Sequence, residues 1–231
     1  MDLNDDGLPD AGLSIDFNLP GFGVFSAVAF YTCPGFTGFG NPSIQRDLGL
    51  LHLPTPLPNG IAFPSLQGSV RVGDEAALVG FGRSGYGNYG YTTLATLTDR
   101  RIGYNVVDYF TPDDLGAGVP ALFRYDFDSP DTFGLAGGSL GNDLESLIGP
   151  GDSGGPLLLA NGSGYSLVGV NTFVEGYGGR FGDLGGGIVL APYLDWISAT
   201  TGIEVPEPRA VIISPLGFIF LLRKRANRTR G

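Results

Sequence analysis

The apolar residues of this chain come in short bursts, and nearly every burst is closed by Gly, Pro or Asn. The runs fall at 24–31, 48–53, 76–81, 92–98, 103–110, 155–159, 166–173 and 187–190, and they are rich in Val, Leu, Phe and Tyr. No amphipathic helical period precedes residue 193. Short strands at this spacing, separated by turn residues, predict an all-β sandwich or barrel. The segment 193–200 (YLDWISAT) follows Pro192 and stops before Gly202, which predicts one short C-terminal helix. The polar stretch 126–150 reads as a surface loop.

Composition matters where it could overturn this reading. The 40 Gly and 17 Pro among 231 residues approach a low-complexity share, yet no repeat is present and 12% of the chain is aromatic. Such a chain can bury a core. Charge is divided unevenly: six of the 13 basic residues lie after residue 208, so residues 1–208 hold seven against all 23 acidic ones, a net of −16. A body that acidic repels a phosphate backbone, and no nucleic-acid partner is expected. One His and one Cys exclude a His/Cys zinc site and an intrachain disulfide. Cys33 reads as a small buried hydrophobe.

Both ends carry patterns of their own. At the start, Asp2, Asn4, Asp6 and Asp10 place oxygen ligands around Gly7 at a spacing that suits a calcium loop, although Leu13 stands where an EF-hand has Glu. The spacing resembles the shorter acidic loops of dockerin and thrombospondin type 3 repeats; a solvated acidic turn is the alternative. At the end, Pro206-Glu207-Pro208 precedes thirteen mostly apolar residues (210–222) and then Arg223-Lys224-Arg225. As a helix those thirteen span about 20 Å, short of a bilayer core of about 30 Å. The segment 205–230 resembles a PEP-CTERM sorting signal, which implies an exosortase-type partner, membrane contact through the tail alone, and an exported protein of a Gram-negative envelope.

The sequence at 149–156, GPGDSGGP, is the most informative. Glycines on both sides of a serine let the backbone approach a substrate carbonyl and leave N–H groups free to point at it. The stretch also satisfies the G-x-S-x-G elbow of α/β-hydrolases, but that elbow leads into a helix and its His follows the Ser. Here a strand-like LLLA follows Pro156, and no His lies beyond Ser153. The elbow reading fails.

GDSGGP at 151–156 resembles the hallmark of chymotrypsin/trypsin-like serine proteases, and the surroundings agree. RDLGLL at 46–51 is similar to the segment that supplies that family's Asp, 106 residues before the Ser. LVGFGR at 78–83 is similar to the opening of the second barrel, residues 167–173 to the strand beside the substrate, and 193–197 to the terminal helix. The resemblance covers about residues 20–200. It implies two antiparallel six-stranded Greek-key barrels, with the first incomplete here. Residues 1–74 would be its remnant with the acidic loop, 75–203 the second barrel and helix, and 204–231 the sorting tail.

It also implies roles: Ser153 the nucleophile, Asp47 the group that orients the base, and the N–H groups of Gly151 and Ser153 the oxyanion hole. Asp152 would pair with a freed N-terminus on activation. Thr172, Phe173 and Val174 would present main-chain groups to an extended peptide. Leu147 would floor the specificity pocket and favour apolar side chains before the scissile bond, and Gly187 would leave the pocket wall open. Catalysis of this kind requires no cofactor.

One member is missing. The family's base stands in a TAAHC-like segment upstream of the Asp, and no such segment occurs here. The single His52 follows Asp47 by five residues, and strand alternation puts it on the opposite face from 47, 49 and 51. Two explanations fit: an N-terminally truncated product, which would lose the His, the early strands and the export signal together, or a non-catalytic surface-binding relative. Truncation is the simpler. A barrel so cut would expose strand edges and aggregate readily.

Overall fold

The computed structural model describes residues 14–36, 46–66, 69–112, 118–130, 138–141, 144–162 and 164–203. The acidic loop with Asp2, Asn4, Asp6 and Asp10 and the sorting tail 204–231 lie outside the described residues.

The elements are almost all strands. The N-terminal part holds β1 (Asp16–Leu19), β2 (Gly23–Ser26), β3 (Ala29–Thr32), β4 (Gly49–His52) and β5 (Ser65–Leu66). The rest holds β6 (Glu75–Gly80), β7 (Ser84–Tyr86), β8 (Gly90–Thr93), β9 (Arg101–Val106), β10 (Tyr109–Thr111), β11 (Leu122–Asp126), β12 (Pro156–Ala160), β13 (Tyr165–Glu175) and β14 (Leu184–Val189). A 3-10 turn at Ala191–Tyr193 then leads into α1 (Leu194–Thr201), the one α-helix among the described residues. Pro192 suits the start of the 3-10 turn, and Gly202 ends α1 at φ 69°, donating its N–H to the Ser198 carbonyl. The all-β expectation and the terminal helix both hold.

The main sheet runs β10-β11-β14-β13-β12-β6-β9, with β5 parallel to β13 and the path antiparallel throughout. Its two end strands are one stretch of chain. The Val107 N–H donates to the Asp74 carbonyl and the Asp108 N–H to the Arg124 carbonyl, so the chain leaves β6 and joins β11 within two residues. The predicted run 103–110 therefore divides into β9 and β10. The run 24–31 divides in the same way, at Ala27 and Val28, whose N–H groups turn to the Ile15 and His52 carbonyls. Among the described residues, the first of the two expected barrels is represented by two separate two-stranded sheets, β1-β2 and β3-β4.

Strand alternation builds two cores on opposite faces of the main sheet. Phe123, Tyr125, Leu157, Val168 and Val189 face one cluster with Ala76, Leu78, Val107 and Ile148. Their neighbours Leu122 and Ile188 face the other, where Tyr193 and Ile197 of the terminal segment pack with Cys33 and Leu48. Cys33 is thus the buried hydrophobe expected of it. This second cluster ties the N-terminal strands to the main sheet, and it seats the segment that carries Asp47.

The stretch 126–150 departs from the expectation of a plain surface loop. Asp126, Asp128 and Glu145 are buried, and carboxylates order the backbone around them. Glu145 accepts the Asp128 N–H at 2.7 Å, the Leu140 N–H at 2.8 Å and the Ser139 hydroxyl at 2.9 Å. A buried N–H needs an acceptor, and where no strand partner is available these side chains supply one.

Candidate active site

The turn before β12 carries three of the expected site residues. Gly151 at φ 100° and Gly154 at φ 85° adopt backbone conformations that an L side chain resists, so the glycines beside Ser153 are dictated by the turn. The Asp152 N–H donates to the Gly149 carbonyl at 2.9 Å and the Gly155 N–H to the Asp152 carbonyl at 2.8 Å. Ser153 stands exposed at the apex. Among the described residues, no acceptor takes the N–H of Gly151 or of Ser153.

Two attachments hold this turn. On one side the Gly154 N–H donates to the Asn171 carbonyl and the Asn171 N–H to the Gly155 carbonyl, both at 2.8 Å. The fully buried Asn171 amide also donates to the Gly155 and Pro156 carbonyls at 3.2 and 3.1 Å. Its Oδ1 accepts the Tyr125 hydroxyl at 3.3 Å. Burial drives the Tyr125 phenol well above the ordinary range, so it stays a donor. On the other side the Asp152 carboxylate accepts the Gly82 N–H at 2.6 Å and the Gly149 N–H at 2.9 Å. The activation pairing implied for Asp152 involves a chain terminus outside the described residues; within them, both of its oxygens already hold backbone donors.

The strand beside the turn is the far half of β13. Pairing with β12 reaches only to Val170, whereas pairing with β14 continues to Glu175 across a bulge between Asn171 and Phe173. Among the described residues, the backbone at Thr172, Phe173 and Val174 therefore lies at a sheet edge, following Asn171, which bonds the serine turn. The side chains turn inward. Phe173 is 8% exposed, with the Arg124 guanidinium carbon 4.9 Å above its ring centre, and Arg124 also pairs with Glu175 at 3.1 Å. The Thr172 hydroxyl is buried with no partner among the described residues.

The remaining expected residues are placed less simply. Asp47 is half-buried in the segment before β4, beside Leu48, whose side chain enters the second cluster with Ile188 and Val170. His52 is exposed on β4, paired in register with Ala29. Leu147 is half-buried against the first core cluster and lines a cavity of about 670 Å³. Asp152, Gly80, Tyr91 and Phe181 line the same cavity, but Ser153, Thr172 and Phe173 do not, so it lies on the Asp152 side of the turn. Gly187 sits on β14, where a Cβ would run into the Val170 carbonyl and the Asn171 Cα, so this glycine allows β14 to approach β13.

The cavity is kept in shape by tyrosine and aspartate. Tyr91 donates its hydroxyl to the Ile148 carbonyl at 2.8 Å, and burial, with the nearby Asp183 and Asp152 charges, pushes its phenol up to about 12. Buried Asp183 accepts the N–H groups of Tyr177, Gly179 and Arg180 at 2.7, 2.7 and 3.0 Å and so fixes the loop after β13. Asn171, Tyr125 and Gly82 were not singled out from sequence. An Asn inside the apolar run VGVNTFV was the available signal for the first.

No curated protein matches this chain. The family model for trypsin matches residues 34–197, which take in the Asp47 segment, the serine turn, the β13 edge and the terminal helix up to Ile197. The chain belongs to the trypsin family.

Proposed function

We propose that the protein is a serine endopeptidase in which Ser153 attacks the scissile carbonyl to form an acyl-enzyme. Asp47 orients the base, and the N–H groups of Gly151 and Ser153 receive the oxyanion. One observation carries this reading: an exposed serine stands beside two uncommitted N–H donors at an open sheet edge. An extended peptide would add to that edge as a strand along Thr172, Phe173 and Val174. Apolar Leu147 supports a preference for apolar side chains before the scissile bond. The tail at 205–230 supports export to a cell envelope with exosortase-type processing.

Acyl transfer also needs a base beside the serine hydroxyl, because the free alcohol is a poor nucleophile. His52 is the single His of the 231 residues and is exposed on β4, so these residues alone are expected to be unreactive at Ser153. The same lack supports a second reading, a surface protein that binds extended peptides without cleaving them.

Fluorophosphonate labelling of the native protein from its source cells separates the two. The hydrolase reading expects an adduct mapped to Ser153 and absent from Ser153→Ala. Folded native protein that binds peptide and carries no adduct at Ser153 supports the binding reading instead.

A further inference from the structure

Arg101 stands on β9 opposite the end of β6, in register with Gly80, and its Nη1 donates to the Gly82 carbonyl at 2.6 Å. That oxygen belongs to the peptide unit joining Gly82 to Arg83. The N–H of the same unit, on Arg83, donates to the Pro150 carbonyl at 2.9 Å. The Pro150 carbonyl belongs in turn to the unit joining Pro150 to Gly151, and the N–H of that unit is the uncommitted donor next to Ser153. Two consecutive peptide units thus link a guanidinium to the Gly151 N–H, each receiving on its carbonyl and presenting its N–H to the next.

Hydrogen bonds in series polarise one another, more so when the first donor is ionised. Gly82 is buried, and a Cβ on Gly151 would lie 3.1 Å from the Gly82 Cα, so the two turns touch there, while Arg83, Pro150 and Gly151 stand exposed. The guanidinium draws electron density toward the Gly82 oxygen, which makes Arg83 a better donor, and Arg83 does the same to the next unit. The links also fix direction. Turning the Pro150–Gly151 unit over would break the Arg83 bond, while the Asp152 carboxylate, holding the Gly82 and Gly149 N–H groups, keeps the two turns in place.

We infer that Arg101 is a positioning residue for the oxyanion site, orienting and polarising the Gly151 N–H through the Gly82–Arg83 and Pro150–Gly151 peptide units. The inference rests on reading Gly151 as an oxyanion donor, but the relay is a ground-state property that can be observed without turnover.

The test is amide NMR of the full 231-residue chain. Arg101→Met is expected to move the Gly151 nitrogen resonance upfield and to speed hydrogen exchange at Arg83 by about tenfold or more. Arg101→Lys, which keeps a charged donor, is expected to restore most of both effects. An unmoved Gly151 resonance in Arg101→Met, or an equal displacement in the Met and Lys variants, overturns the relay. Should Arg101→Met not fold, Arg101→Gln is read in its place: it retains a neutral donor, a smaller upfield displacement is expected, and none overturns the inference. A missing fluorophosphonate adduct would sink the hydrolase reading and leave these shifts standing, so the two failures are distinguishable.

Discussion

The Asp152 carboxylate and the Gly82 N–H meet at 2.6 Å across 70 residues of sequence. This bond joins the turn after β6 to the turn before β12, and a Cβ at Gly82 would fall on the carboxylate. Gly82→Ala must therefore displace the carboxylate from its two backbone donors or push the turns apart. The expected cost is about 1–3 kcal/mol, the usual range for overpacking a filled site. Urea unfolding measures it, and an unchanged midpoint would show that the contact yields without strain.

Asn171 ties β13 to the serine turn from within the core. Asn171→Ala leaves the Gly155 and Pro156 carbonyls without its amide and the Tyr125 hydroxyl without its acceptor. Buried groups deprived of partners cost about 1–3 kcal/mol each, with partial relaxation expected. A total loss of about 2–4 kcal/mol in chemical denaturation is the expected outcome. A loss below about 1 kcal/mol would mean that the main-chain bonds at Gly154 and Asn171 suffice.

Stability should depend on pH through Asp108. Burial holds its carboxyl up at about 7 although it accepts the N–H groups of Asp126 and Gly138; the adjacent Asp126 charge also raises it. The folded protein then keeps a proton that the unfolded chain releases near its model value of 3.8. This contribution is complete below that value and is lost as the pH rises through about 7. The urea midpoint of the native chain should fall across that window relative to Asp108→Asn. Parallel pH profiles for the two proteins would exclude Asp108 as the cause.

Should Ser153 prove reactive in the native protein, Leu147 sets a further expectation. An apolar side chain cannot pair a buried Lys or Arg, and an unpaired buried charge is costly. A peptide panel should then show cleavage after apolar residues, and preferred cleavage after Arg or Lys would refute this assignment of Leu147.

The strands read most clearly from sequence were those with uninterrupted apolar character, such as the runs that became β6, β12 and β13. β11 escaped because Arg124 breaks the pattern LFRYD, and its guanidinium is accommodated by Glu175, the Phe173 ring and the Thr111 hydroxyl, which arrive from other strands. The buried carboxylates of 126–150 were read as solvated for the same kind of reason. Acidity is visible locally, whereas the N–H groups that Glu145 and Asp108 satisfy come from residues that only the fold brings near.

The scarcity of His was plain in the sequence at the outset, and so was the serine turn, because its glycines answer to local backbone geometry at Gly151 and Gly154. Turn conformation depends on neighbours in the chain, and sequence alone determined it. What holds that turn was decided in three dimensions. Asn171, Tyr125, Gly82 and Arg101 act on Ser153 and Gly151 through hydrogen bonds that span 15 to 70 residues. A hydrogen bond has no sequence signature until packing brings donor and acceptor within about 3 Å of each other.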